Sequence, residues 1–216
     1  MKSAALPVSW VDLLTVIVLF LGILRGRKRG LSEELLDTIQ WVAIVVVAGL
    51  YYARLAAVFS GAGLLSPALA NVFAYILIAV GLKCVMVVVK RLIGEKIIGS
   101  DIFGRLEYYL GMLAGAVRFG CIYFFLMSLL HAPHYTEEML ANQAKFQEKY
   151  YGDIRFPTLG TIQKTVFKES ATGKASERYL ADVLIHPAAP TAANLRNDNS
   201  LGRRRERTID AVMGGK

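Results

Sequence analysis

Four long apolar runs decide most of what this chain can fold into. The first extends from Leu6 to Leu24, with Asp12 as its only charge, and the second from Ile39 to Phe59. The third, Pro67 to Val89, contains one charge, Lys83, and the fourth, Tyr108 to Leu130, contains Arg118. About 20 residues rising 1.5 Å each cross the hydrocarbon core of a bilayer. Core helices of soluble domains rarely run so long without a charge. The runs account for a hydrophobic content of 55% in 216 residues. The expected fold is therefore all-α: a polytopic membrane protein with four transmembrane helices and a short helical or disordered C-terminal tail. The spans are expected at about 6–24, 35–59, 67–90 and 106–130, within a membrane domain of residues 1–132.

The first run is expected to remain as a span rather than be cleaved. A signal peptide carries its positive charge before the apolar region and small residues after it. Here only Lys2 precedes the run, whereas Arg25, Arg27, Lys28 and Arg29 follow it. Those four residues are topogenic. With Lys90, Arg91, Lys96 and Arg105 between the third and fourth runs, they place two basic loops in the cytoplasm, because short loops rich in Lys and Arg stay inside. The uncharged stretch Ser60 to Ser66 faces out. Both termini are then extracytoplasmic, and the address is the bacterial inner membrane, crossed several times.

Net charge is +8, of which +5 lies in the first 130 residues. This excess orients the protein and attracts anionic headgroups. Nucleic-acid binding, which asks for basic residues interleaved with aromatics on a soluble face, is not expected. The expected partners are the lipid bilayer and other membrane proteins, or further copies of the chain. Cys84 and Cys121 both lie in apolar runs and fit neither a disulfide nor a metal pair.

Polar residues inside the spans carry whatever chemistry the membrane domain has. Arg118 lies roughly 15 Å inside the fourth run, where a lone arginine costs at least about 2.5–3.5 kcal/mol. Gly111, Gly115 and Arg118 stand at i, i+4 and i+7 and share a face. The two glycines form a G-x-x-x-G that admits a neighbouring helix, so the arginine faces protein. Gly120 is a third helix-packing candidate. Asp12 is the best candidate partner for Arg118, through a bridging water, and Arg54 is its other possible partner; capping of its own helix is the plainer reading of Asp12 and the one preferred. Lys83 either snorkels to the inner surface or meets Asp37. Trp10, Trp41, Tyr51, Tyr52, Tyr108 and Tyr109 stand near span ends as an aromatic belt.

The tail divides into an extracytoplasmic helical part, 133–185, and a disordered part, 186–216. Helices are expected over Thr136 to Tyr151 and over Ala175 to Ile185. His131 and His134, with Glu137 and Glu138, are a weak metal candidate. Pro133 interrupts the helix between them, and the spacing matches no zinc signature. No metal and no cofactor is expected. Nucleophile elbow, zinc-protease and phosphate-loop motifs are absent from the sequence, so the chain reads as a non-enzyme.

The order of these features resembles a known family. Trp10 and Asp12 open the first span, Gly26 and Gly30 bracket the basic turn, and Glu33-Glu34-Leu35-Leu36 and Trp41 lead into the second. The fourth carries Leu110-Gly111-Met112-Leu113-Ala114-Gly115-Ala116-Val117-Arg118. Over about residues 8 to 130 this resembles the bacterial colicin V production protein family, CvpA. One departure is Phe119, which separates Arg118 from Gly120 where the family pattern has Arg-Gly. The resemblance implies four spans in the inner membrane and a non-enzymatic role in toxin production or export, or in envelope homeostasis. A subunit of an oligomeric channel or carrier is the alternative function.

Overall fold

The computed structural model describes residues 9–62, 65–97, 104, 106–133, 135, 137–151 and 156–187. Outside them lie the start of the first expected span, Arg105, His134, the Thr136 cap and the tail from 188 onward. The described residues form helices and connecting turns, with no strand among them. Helix α1 is Trp10–Gly61, α2 is Pro67–Ile97 and α3 is Leu106–His131. These three are long and apolar enough to cross a membrane. The tail adds α4 (Glu137–Tyr151), α5 (Leu159–Lys164), a π-helical turn at Thr165–Glu169, α6 (Ala171–Tyr179) and a 3₁₀ turn at Ala181–Val183.

Helix α1 begins with a capping box. Ser9 accepts from the first turn, and Asp12 accepts from the Ser9 amide at 3.1 Å. A straight helix of 52 residues would be about 78 Å long, far more than a bilayer holds. It breaks at Gly30, whose φ of 76° and ψ of 172° suit glycine alone. The chain reverses there. Gly30 lies beside Glu107 and Gly111 of α3. Val11 on one side of the break packs with Met127, and Val45 on the other packs with Phe124. Both arms of α1 therefore run along α3, one antiparallel and one parallel. The reversal makes α1 compatible with two of the four expected spans. The first arm runs on as helix through the basic residues to Arg29, where a loop was expected.

Small residues set the distances between helices. Ala48, Tyr52 and Ala56 of α1 bury against Ala70, Ala74 and Tyr75 of α2. Phe125 stacks on Tyr75 at 5.2 Å and meets Trp41 edge-on at 6.0 Å. The outward faces stay apolar: Val16, Phe20 and Leu21 of α1 and Val80, Val85 and Val88 of α2 are exposed, the surface that lipid requires.

The tail folds back onto the end of the bundle where α1 begins. Val166 and Phe167 pack with Val11 and Met127. Leu184 packs with Val45 and Phe124, and Ile185 with Ala48 and Ala132. The Ile185 amide donates to Ser128 at 3.1 Å and the His186 amide to Tyr52 at 2.8 Å. The second tail helix, expected over Ala175 to Ile185, begins earlier and ends at Tyr179. Beyond it come the 3₁₀ turn at Ala181–Val183 and then extended chain, whose Ile185 and His186 amides are satisfied by side chains of α3 and α1.

Candidate functional site

Arg118 is held by the second arm of α1. Its Nη1 donates to Glu34 Oε1 at 2.7 Å and to Asp37 Oδ2 at 2.8 Å. Glu34 and Asp37 stand at i and i+3, so one helical face presents both carboxylates. Lys90 of α2 bonds Asp37 from the other side and donates to Gln40 Oε1 at 2.7 Å. Arg29, at the end of the first arm, lies 3.5 Å from both Glu34 and Asp37. Glu34 is fully buried and the Arg118 side chain is 16% exposed. Three cations and two carboxylates thus tie together both arms of α1, α2 and α3.

The cluster is nearly saturated with internal bonds. Both Glu34 oxygens and both Asp37 oxygens have cationic partners. Thr38 donates to the Glu34 carbonyl at 2.8 Å and lies 3.1 Å from the Ala114 carbonyl, joining the two helices beside the charges. Arg118 Nε is buried without a hydrogen-bond partner among the described residues. Buried charges are costly to carry and far costlier to leave unpaired, so each member depends on the others. The arrangement can fix helix register, and its one excess formal positive charge is shared among cations of which Arg29 and Lys90 are partly exposed.

The glycines make this approach possible. A Cβ on Gly115 would lie 2.2 Å from the Gly22 carbonyl oxygen, and one on Gly111 would lie 2.6 Å from that of Gly26. On the facing helix, a Cβ at Gly26 would meet the Gly111 oxygen at 2.0 Å. Backbone rests on backbone along Gly22, Gly26 and Gly30 against Gly111 and Gly115. Gly120 does not share this constraint: a Cβ there meets only Leu19, at an ordinary 3.6 Å.

Asp12 is not the partner of Arg118. Its carboxylate accepts from the Thr172 amide at 2.9 Å, the Thr172 hydroxyl at 2.7 Å and the Ala171 amide at 3.2 Å, besides the Ser9 amide. One carboxylate therefore serves the N-termini of both α1 and α6, where helix dipoles favour negative charge. It lies near the Met127 end of α3, about 13 Å along that helix from Arg118. Arg54 is not with Asp12 either; its guanidinium lies over the Tyr51 ring at 5.4 Å. Lys83 does not meet Asp37, because Lys90 stands two turns closer to it. Lys83 is exposed on α2.

Arg25, Arg27 and Lys28 are exposed near the bend, whereas Arg29 turns into the cluster. His131 donates from Nδ1 to the Ile185 carbonyl at 2.8 Å and has Glu177 3.4 Å from Nε2. Both ring nitrogens thus face tail groups.

Gln40 and Gly22 do not stand out in the sequence, and Glu34 and Lys90 stand out there only as part of a motif and as a topogenic charge. Signals for two of them were present. Glu34 sits in the Glu33-Glu34-Leu35-Leu36 motif, and Gly22-x-x-x-Gly26-x-x-x-Gly30 extends the packing stripe that answers Gly111 and Gly115.

Residues 11–149 match the family model described as Colicin V production protein, and the chain belongs to that family. Neither a curated protein nor a solved structure matches the chain.

Proposed function

We propose that this Colicin V production family protein is a non-enzymatic, multi-pass component of the bacterial inner membrane. It supports the production or export of a colicin V-like toxin, or upkeep of the envelope. The observation that carries this reading is the Arg118 cluster. Its charged groups bind one another and lock four helical segments, which supports a role in membrane assembly rather than in bond chemistry. Its partners are the bilayer and other membrane proteins or further copies, without nucleic acid or a cofactor. The exposed basic residues beside the Gly30 bend support a cytoplasmic bend and an extracytoplasmic tail.

The test is a deletion strain assayed for release of a colicin V-type toxin and for uptake of a membrane-impermeant dye. The wild-type chain should restore whichever readout the deletion disturbs. If neither changes on deletion, the reading fails. A reporter active only in the cytoplasm, fused after Lys216, should stay silent; signal there would reverse the orientation.

A second reading is a subunit of an oligomeric channel or carrier. Exposed Lys83, with exposed Val80 and Val87 nearby on α2, favours it, since a neighbouring copy would shield an ammonium from lipid. Exposed Cys84 stands beside Lys83. With Cys121 replaced by Ser, oxidation in native membranes should then trap a disulfide-linked dimer. Monomer alone would remove this reading.

A further inference from the structure

We infer that the groove between the first arm of α1 and the start of α3 is a binding site for one anionic phospholipid. It is lined by Leu24, Arg27, Lys28, Tyr108, Tyr109 and Met112. Leu24, Arg27 and Lys28 stand at i, i+3 and i+4 on one helical face, and Tyr108 and Met112 at i and i+4 on the other helix. The glycine contact at Gly26 and Gly111 brings the two backbones together, so these side chains flank a shared groove.

The groove has a polarity gradient that a phospholipid matches. At the bend end are a guanidinium, an ammonium and two phenol hydroxyls, all on exposed residues. These are donors for phosphate oxygens. One turn further from the bend come Leu24 and Met112, and then exposed Leu21, Phe20 and Leu113, a track for acyl chains. Among the described residues no carboxylate lines the groove. Glu107, the acidic neighbour of Tyr108 in sequence, is turned against Gly30 instead. Basic groups and tyrosines at one level also mark this as the headgroup depth of the bilayer. A free phosphate would use only the polar end, so the apolar track selects a lipid as the occupant. The site is independent of the assignment to toxin production.

The experiment uses the full chain in nanodiscs of phosphatidylcholine doped with phosphatidylglycerol, with retained lipid counted by native mass spectrometry after extraction into detergent. Wild type should retain about one phosphatidylglycerol in preference to phosphatidylcholine. Arg27→Gln/Lys28→Gln should lower that preference by roughly 30-fold, taking two basic residues at the membrane surface together. Both side chains are exposed, so the variant should fold, and an unchanged melting temperature checks this. Arg25→Gln, exposed but outside the groove, should keep the preference. Leu24→Asn should weaken retention without changing charge. Inorganic phosphate at millimolar concentration should not displace the lipid. The proposal is overturned by undiminished retention in the double variant, by an equal loss in Arg25→Gln, or by displacement with phosphate.

Discussion

Arg118 and Glu34 meet at 2.7 Å across 84 positions of sequence, and Glu34 has no exposed surface. The pair decides how the second arm of α1 sits on α3. Removing Glu34 leaves Arg118 with Asp37 alone, and removing Arg118 leaves fully buried Glu34 with Arg29 at 3.5 Å; breaking a buried pair costs about 3–5 kcal/mol. Glu34→Leu should therefore lower stability in detergent by about 3 kcal/mol, measured by denaturant unfolding. The double variant Glu34→Leu/Arg118→Met removes both charges and should recover most of that loss. If its effect equals the sum of the single ones, the residues are not coupled. Arg118→Lys keeps the charge, but its shorter side chain has to carry the ammonium to the place of Nη1, the one atom that meets both carboxylates, so it should be only partly stable.

The glycine stripe gives a contrast within one helix. Gly115→Ala places a methyl group 2.2 Å from the Gly22 carbonyl oxygen, and neither backbone can yield without separating the helices. A loss of about 1–3 kcal/mol or more is expected. Gly120→Ala meets only Leu19 at 3.6 Å and should be neutral or slightly stabilising. Melting temperatures of the two variants check this. Equal behaviour would mean that the α1–α3 approach is not set by Gly115.

Asp12 links the membrane bundle to the tail. Asp12→Ala leaves the Ala171 and Thr172 amides without the acceptor they have at 3.2 and 2.9 Å. The expected cost is about 1–2 kcal/mol at the start of α6. Trypsin should then cut faster after Lys174 and Arg178, with α1 changed only in its first turn, where Asp12 also accepts from the Ser9 amide, and α2 and α3 unchanged. Asp12→Asn retains an acceptor oxygen and should show a smaller increase. An unchanged cleavage rate in Asp12→Ala would make the contact incidental.

These contacts show where sequence reading stopped. Apolar run length reveals which stretches are long helices, and the depth of Arg118 shows that it needs a partner. Depth along the helix axes does not reveal which partner it has. Measured so, Glu34 and Asp37 belong to the loop end and Asp12 lies closer. A helical side chain leans toward its own N-terminus, so Arg118 reaches down to a carboxylate just beyond the Gly30 bend. The bend itself needed φ near +76°, which glycine permits but does not announce. Gly26 and Gly30 read as ends of a turn rather than as one packing stripe with Gly22. The docking of Ile185 and His186 was illegible for a different reason. Their partners, Ser128 and Tyr52, are remote in sequence, and local composition at His186 and Pro187 resembles an unstructured tail.

The same docking gives the last prediction. Gly49 lies under the 3₁₀ turn, and a Cβ there would come within 2.4 Å of a Val183 methyl and 2.6 Å of the Val183 carbonyl oxygen. Gly49→Val should push Val183 and Leu184 out of the groove that α1 and α3 form. The Ile185 amide would then lose Ser128, which accepts from it in a fully buried setting. Hydrogen exchange at Ile185 and His186 should rise by about tenfold or more, the effect of losing roughly 1–3 kcal/mol of local protection. Exchange in the middle of α3 should not change, because the glycine contact with the first arm lies elsewhere. Ser128→Ala removes the acceptor without adding bulk and should raise exchange at Ile185 more than at His186, whose own acceptor is Tyr52. Gly61→Val is the control, since a Cβ there meets nothing within 4 Å. If Gly49→Val leaves the two amides as protected as in the wild type, the tail is held by contacts other than this groove.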